Sequence, residues 1–168
     1  MRYASLKKND VANAPGIAVS FYTQGCPHRC PGCFNPGTWD FGGGLEFTED
    51  TMQEILSALT ANGISRSLCI LGGEPMCAEN LELTNYVIDR AIAAVPNVKI
   101  YIWSGFLYEH LQKSIDTTCK NILQKAHFLI DGPFIEAQKD LTLKMRGSRN
   151  QRIINLKTKE IEGGGKNA

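Results

Sequence analysis

Four short apolar runs, at residues 17–22, 68–71, 98–103 and 127–130, limit this chain more than any other feature. Each reads as a buried strand and each stops at a turn former: Thr23-Gln24-Gly25, Gly72-Gly73, Ser104-Gly105 and Asp131-Gly132-Pro133. Helix-patterned stretches separate them. Thr48 is placed to cap one, with Glu49 and Asp50 in its first turn and Met52, Ile55, Leu56 and Leu59 along one face, and Asn62-Gly63 as its stop. A second carries Leu81, Thr84, Ile88, Ala91, Ile92 and Val95 and stops at Pro96-Asn97. Strand and helix alternating in this way predict βα units, an α/β fold and a mainly parallel sheet. A closed eight-unit barrel takes about 250 residues, so 168 residues can build only part of one. Residues 1–168 form one domain, with 1–16 as a lead-in, 134–150 as loop, 152–156 as one more strand and 162–168 as a flexible, frayed tail.

Composition narrows the function classes. Eighteen basic against seventeen acidic residues leave a net charge of +1, which gives no electrostatic case for a nucleic-acid or membrane partner. No apolar run approaches the ~18 residues of a membrane span, and the start, Met1-Arg2-Tyr3-Ala4-Ser5-Leu6-Lys7-Lys8, lacks the apolar core of a secretory signal. A cytoplasmic location is expected, where six cysteines stay reduced and open to metal.

Three of those thiols fall within eight residues, in Cys26-Pro27-His28-Arg29-Cys30-Pro31-Gly32-Cys33, directly after the first strand. Thiolates are soft ligands suited to zinc, copper(I) or iron–sulfur clusters. Three cysteines can hold three corners of a [4Fe–4S] cube and leave one iron open. A structural zinc site, with His28 or a cysteine from elsewhere as fourth ligand, is the competing reading, but zinc ligands usually come as two pairs and no second pair follows. Cys69, Cys77 and Cys119 are scattered singly, and Cys69 and Cys77 read as small buried residues. His28 reads as a loop-shaping contact, and His110 and His127 as surface or core residues. The glycines at 42–44 match no phosphate-binding fingerprint, and residues 34–44 read as a flexible cover.

Cys-x3-Cys-x2-Cys after a first strand resembles the radical S-adenosylmethionine superfamily. With Gly72-Gly73-Glu74-Pro75, Asp131-Gly132-Pro133-Phe134 and Arg146-Gly147-Ser148-Arg149-Asn150-Gln151-Arg152, nearly the whole chain resembles the activating proteins of anaerobic (class III) ribonucleoside-triphosphate reductase. The resemblance implies an open, truncated (β/α) barrel and an enzyme whose [4Fe–4S] cluster, held by Cys26, Cys30 and Cys33, cleaves S-adenosylmethionine reductively and leaves a glycyl radical on the large reductase chain. A low-potential electron donor of flavodoxin or ferredoxin type is implied as second partner. Gly32, Cys33 and Phe34 are then expected beside the cofactor, with Gly32 where the superfamily usually has an aromatic residue and Phe34 offering apolar surface instead. Gly72, Gly73 and Glu74 are expected to present backbone to its ammonium group, and Asp131 and Ser104 to make polar contacts with it. A glycyl-radical activase for another enzyme, such as pyruvate formate-lyase, and a non-catalytic zinc- or cluster-holding module are the alternatives.

These residues all follow strands, and in α/β folds the loops at the strand ends gather on one rim. Singly they are weaker: Gly-Gly-x-Pro and Asp-Gly are also ordinary turns. The basic stretch 144–152 reads either as a solvated loop or as a segment that shapes the site or docks the partner.

Overall fold

The computed structural model describes residues 1–164. Alternation of side chains along each central strand builds the architecture. Strands β2 (Ala18–Thr23), β4 (Ser67–Gly72), β5 (Ile100–Ser104) and β6 (Phe128–Asp131) run parallel in that order and form the centre of the sheet. Val19, Phe21, Leu68, Ile70, Ile100, Ile102 and Leu129 point to one face, where helices cover them. Ala18, Tyr22, Cys69, Leu71, Tyr101 and Ile130 point to the other, where no helix contributes to the packing.

Helix α1 (Glu49–Thr60) starts at a capping box in which the Thr48 hydroxyl accepts from the Thr51 amide and the Thr51 hydroxyl accepts from the Thr48 amide. Its Met52, Ile55 and Leu59 are buried against the sheet, as the periodicity predicts, and Asn62, at φ 57°, ends the turn that follows. Helix α2 (Ala78–Ala94) buries Leu81, Thr84, Ile88 and Ala91. The short α3 (Tyr108–Gln112) and α4 (Thr117–Lys125) complete the layer, with Asp116 capping α4 through the Thr118 and Cys119 amides. Among the described residues, the four α-helices therefore lie on one side. Full burial of each Ile, Leu or Phe there contributes about 1.5–3 kcal/mol.

The edges differ from expectation. Residues 1–16 are more than a lead-in: β1 (Arg2–Asp10) pairs antiparallel with β2 and carries the two-residue β3 (Leu45–Glu46) on its outer side. Lys7, Lys8 and Asn9 disguise β1, because a strand whose outer edge is paired only at Arg2 and Tyr3 and whose one face is wet needs few apolar residues. At the other end β7 (Arg152–Asn155) runs antiparallel to β6, and β8 (Ile161–Gly163) pairs with β7. Glu162 and Gly163 thus belong to a strand, while residues 165–168 of the expected tail lie outside the described residues. The sheet reads β3-β1-β2-β4-β5-β6-β7-β8 and is open, with a parallel centre and antiparallel margins.

Candidate metal centre

The cysteine loop leaves β2 and returns on itself. Gly25 and Cys26 donate their amides to the Thr38 and Trp39 carbonyls at 2.8 and 3.2 Å, so both ends of the loop are held together. Gly25 takes φ +94°, and a Cβ there would strike the Phe41 ring. Inside the loop, the Cys33 amide donates to the Cys30 carbonyl (3.1 Å) across a turn in which Gly32 has φ +70°, and the Asn35 amide donates to the Cys33 sulfur (3.3 Å). Residues 34–44 are tied down rather than a loose cover: Gln24 donates to the Asp40 carbonyl and Arg2 to the Gly44 carbonyl.

Cys26, Cys30 and Cys33 are free thiols, each half-buried, and all three line one cavity of about 130 Å³ with Gly72, Gly73, Glu74, Ser104 and Gly105. Burial pushes the Cys26 thiol up from its ordinary value, so metal uptake there must release a proton. Among the described residues, no three His, Cys, Asp or Glu side chains converge closely enough to enclose a single metal ion. Three thiols on one cavity can each serve a different iron of a cluster. Cys69 and Cys77 are buried, which pushes both thiols up to about 12. Cys119 is buried among helix-face residues, and none of these three lines the cavity.

The Gly72-Gly73-Glu74 turn abuts the cysteine loop from β4. Gly73 donates its amide to the Thr23 carbonyl (2.9 Å) and Glu74 its amide to the Gly25 carbonyl (2.9 Å). A Cβ on Gly73 would stand 2.3 Å from the Gly25 oxygen. Close approach of the chain to itself already requires glycine there. The Glu74 carboxylate, at 1% exposure, is fully engaged: Oε1 accepts from Ser104 Oγ (2.8 Å) and the Met76 amide (2.9 Å), Oε2 from His28 Nε2 (2.9 Å) and the Gly105 amide (2.6 Å).

Strand parity turns the Ser104 and Asp131 side chains toward the helix face, although Ser104 still lines the cavity and Asp131 does not. Ser104 shares the helix-side parity of Ile100 and Ile102, and its hydroxyl is taken by Glu74 and by the Phe106 amide. Asp131 shares the parity of Leu129. Its carboxylate, fully buried, accepts from Arg152 Nε (2.9 Å) and Nη2 and from the Tyr108 amide (2.7 Å). Asp131 is therefore committed to a buried ion pair on the helix side, and the adjacent Gly132, not Asp131, lines the cavity. Gly32 lies exposed, and a Cβ on it would meet the Glu136 carboxyl group at 2.8 Å.

A family model described as "4Fe-4S single cluster domain" matches residues 12–154. The anaerobic ribonucleoside-triphosphate reductase-activating protein of Vibrio cholerae is 33% identical over 154 residues, covering 91% of this chain and 97% of the relative. Those of Escherichia coli K12 (30%; 94% and 100%) and bacteriophage T4 (32%; 91% and 93%) carry the same name. The chain belongs to this family of activating proteins.

In this family member a second cavity of about 410 Å³ adjoins the first, sharing Cys33, Asn35, Leu71, Trp103, Phe134 and Gln151 with it. Phe34, a residue 52% exposed, lines the larger one, with its ring packed on Phe134 at 5.1 Å. Asn13 closes another wall, held by Asp10 (2.6 Å) and the Tyr22 hydroxyl (3.2 Å), so the lead-in does reach the site. Tyr22, Leu71 and Trp103 were the residues that sequence reasoning missed; counting alternate positions back from each strand end would have found them. The stretch 146–152 proves to be a knot. The Gln151 side chain accepts from the Gly147 and Ser148 amides and donates to the Gly132 carbonyl, Asn150 donates to the Pro133 carbonyl, and Ser148 is buried. It shapes the cavity wall.

Proposed function

We propose that this chain activates an anaerobic ribonucleoside-triphosphate reductase, using a [4Fe–4S] cluster held by Cys26, Cys30 and Cys33. The observation that carries the reading is the convergence of three free thiols of one loop on a single cavity at the ends of the parallel strands, in a chain of the activating family. The residues fit the group: the sulfurs are soft donors, the Asn35 amide already points at the Cys33 sulfur, and no pair of these cysteines is consumed in a disulfide. When bound, such a cluster supplies the electron that cleaves S-adenosylmethionine to methionine and a 5′-deoxyadenosyl radical, which takes a hydrogen from a glycine of the reductase.

The chain's own task is to bind, orient and exclude water. Backbone of the Gly72–Gly73 turn faces the cluster loop, and the adjoining larger cavity offers Tyr22, Trp103 and Phe34 as aromatic walls for the cofactor. Phe34 replaces the aromatic surface that Gly32 lacks. Asp131 acts from behind the rim through Arg152, and Ser104, at the cavity wall, acts through Glu74. The open sheet is read as a truncated (β/α) barrel, whose missing strands leave a side entrance for a protein loop too large for a closed one. Hydrogen abstraction needs near-contact, so the reductase must cover that opening. A low-potential flavodoxin or ferredoxin type of donor and a reducing, cytoplasmic setting complete the proposal.

Anaerobic purification with iron, sulfide and zinc assayed together tests it. About four irons per chain are expected, and the reduced protein, given S-adenosylmethionine, should generate a paramagnetic doublet on the reductase chain. Stoichiometric zinc without iron, or a doublet on this chain alone, would sink the reading.

A further inference from the structure

The buried carboxylate of Glu74 and the imidazole of His28 do something that neither the family name nor the cluster itself assigns. Glu74 collects four donors from three separate segments: Met76 in its own turn, Ser104 and Gly105 at the end of β5, and His28 within the cysteine loop. A carboxylate only accepts, so the His28 Nε2 proton must point at it. His28 is wedged on its other sides as well. Its ring meets Phe106 edge-on at 4.5 Å, and a Cβ on Gly105 would lie 2.5 Å from it, so the imidazole occupies a slot that only glycine leaves open. The Glu74 main chain holds the other end of the same loop: its amide donates to the Gly25 carbonyl, while Asn80 Nδ2 bridges the Gly25 and Glu74 carbonyls at 3.2 and 3.0 Å. One residue thereby fixes the chain just before Cys26 and again between Cys26 and Cys30.

Resting on the cluster reading above, we propose that Glu74 and His28 are positioning residues: together they set the separation of Cys26 and Cys30 for the cluster, and the Glu74 carboxylate makes no contact with S-adenosylmethionine. The saturated carboxylate at 1% exposure has no lone pair pointing to a ligand that is not already used. Cys33 stands outside this clamp and depends on the Cys30 turn and Asn35 instead. Two cluster ligands are thus held through Glu74 and the third only by way of the Cys30 turn and Asn35. Partners of this kind, one shell away from a metal, commonly change its affinity about 10–100-fold when removed.

The test compares His28→Ala, His28→Gln and Glu74→Gln with the wild-type chain after anaerobic reconstitution. Iron extraction by a chelator, the line shape of the reduced cluster without S-adenosylmethionine, and cofactor affinity of the iron-loaded fraction are measured. His28→Ala should lose iron about 10–100-fold faster and alter the spectrum, while leaving cofactor affinity unchanged. His28→Gln, whose amide can still donate to Glu74, should restore both readouts. Glu74→Gln should resemble His28→Ala or fare worse, because two of the four donors then face an amide NH₂. If Glu74→Gln does not fold, the His28 pair decides alone. Equal iron retention in His28→Ala and wild type overturns the assignment, as does loss without rescue by Gln. Normal iron with lost cofactor affinity in Glu74→Gln overturns it too, by placing the carboxylate against the ligand. A wild-type chain that takes up no iron overturns the cluster reading first, and this inference with it.

Discussion

The two faces of this sheet are made from the same strands, yet one is filled and the other is hollowed. On the helix face Phe21, Ile70, Ile102 and Leu129 are buried without residue under α1, α2 and α4. Their immediate neighbours Tyr22, Leu71 and Trp103 face the opposite way and line the adjoining cavities. A step of one residue along a strand therefore changes the job from holding the fold to forming the site. The carboxylates at the rim follow the same rule: Asp131, on the helix side, is locked by Arg152.

The hardest blow to this distinction comes from the cysteines. Replacing Cys26, Cys30 or Cys33 by Ala should abolish cluster uptake and reductase activation, each removing one of the three proposed ligands, while the iron-free chain keeps its thermal midpoint. Cys69→Ala, Cys77→Ala and Cys119→Ala should retain the cluster, since none of the three lines the cavity and burial pushes all three thiols up, those of Cys69 and Cys77 to about 12. Iron content and calorimetry of the six variants check this; a cluster lost from Cys119→Ala but kept in Cys30→Ala would reverse the ligand assignment.

Adjacent residues give the next test. Ile102→Ala leaves a cavity in the packed face and should cost about 2–5 kcal/mol, with normal iron and cofactor binding per folded molecule. Trp103→Phe keeps a ring but loses the Nε1 hydrogen bond to the Met145 carbonyl, 2.8 Å long, and should cost only about 0.5–1.5 kcal/mol. Its effect should appear in S-adenosylmethionine affinity. Denaturant titration and anaerobic equilibrium binding separate the two; equal destabilisation with unchanged affinity in both would erase the difference between the faces.

Gly73→Ala joins stability to the site. Its Cβ would press on the Gly25 carbonyl, next to Cys26, at 2.3 Å. Overpacking of this kind costs about 1–3 kcal/mol, and the displaced loop should also retain less iron. Chelator extraction alongside a melt checks it, and full iron retention would mean that Gly25 relaxes without moving Cys26.

These cases show why some of the molecule was readable in the sequence. The central strands were legible because a parallel strand covered on both sides is apolar throughout, as in Leu68-Cys69-Ile70-Leu71. β1 was not, since Arg2–Asp10 needs apolar residues at few positions. The cysteine loop declared itself by ligand density, and the convergence of loops on one rim followed from the βα order. Asp131 was drawn toward the site by sequence proximity to that rim, whereas its parity with Leu129 turns it to the helix side; Ser104 shares the parity of Ile102 yet lines the cavity, its hydroxyl taken by Glu74. The 134–150 region had no periodicity to read, because its order comes from single side-chain bonds such as those of Gln151 and Ser148.

The smallest effect expected lies at the helix-side margin, where Arg152 joins Asp131 to Glu109 on α3. Arg152 Nη1 and Nη2 donate to the two Glu109 oxygens at 2.9 and 2.8 Å, and this hydrogen-bonded guanidinium lowers the Glu109 carboxyl from 4.5 to about 2. A carboxylate with a depressed value in the folded chain stabilises it above the unfolded value, and that contribution is lost as pH falls through the folded one. The window here runs from about 4.5 down to about 2. Glu109 is 51% exposed, so solvent screening limits the gain to roughly 0.5–1 kcal/mol. Glu109→Gln should therefore be slightly less stable than wild type at pH 7, by the same margin down to about pH 4.5, and should converge with it at lower pH. Urea unfolding of the iron-free chains across that range gives the comparison. Asp131→Asn should behave differently, because it leaves Arg152 facing a buried neutral amide and costs stability that Glu109, from the wet side, does not replace. A Glu109→Gln gap that stays constant with pH would show that packing of the side chain, and not its charge, holds this margin of the sheet.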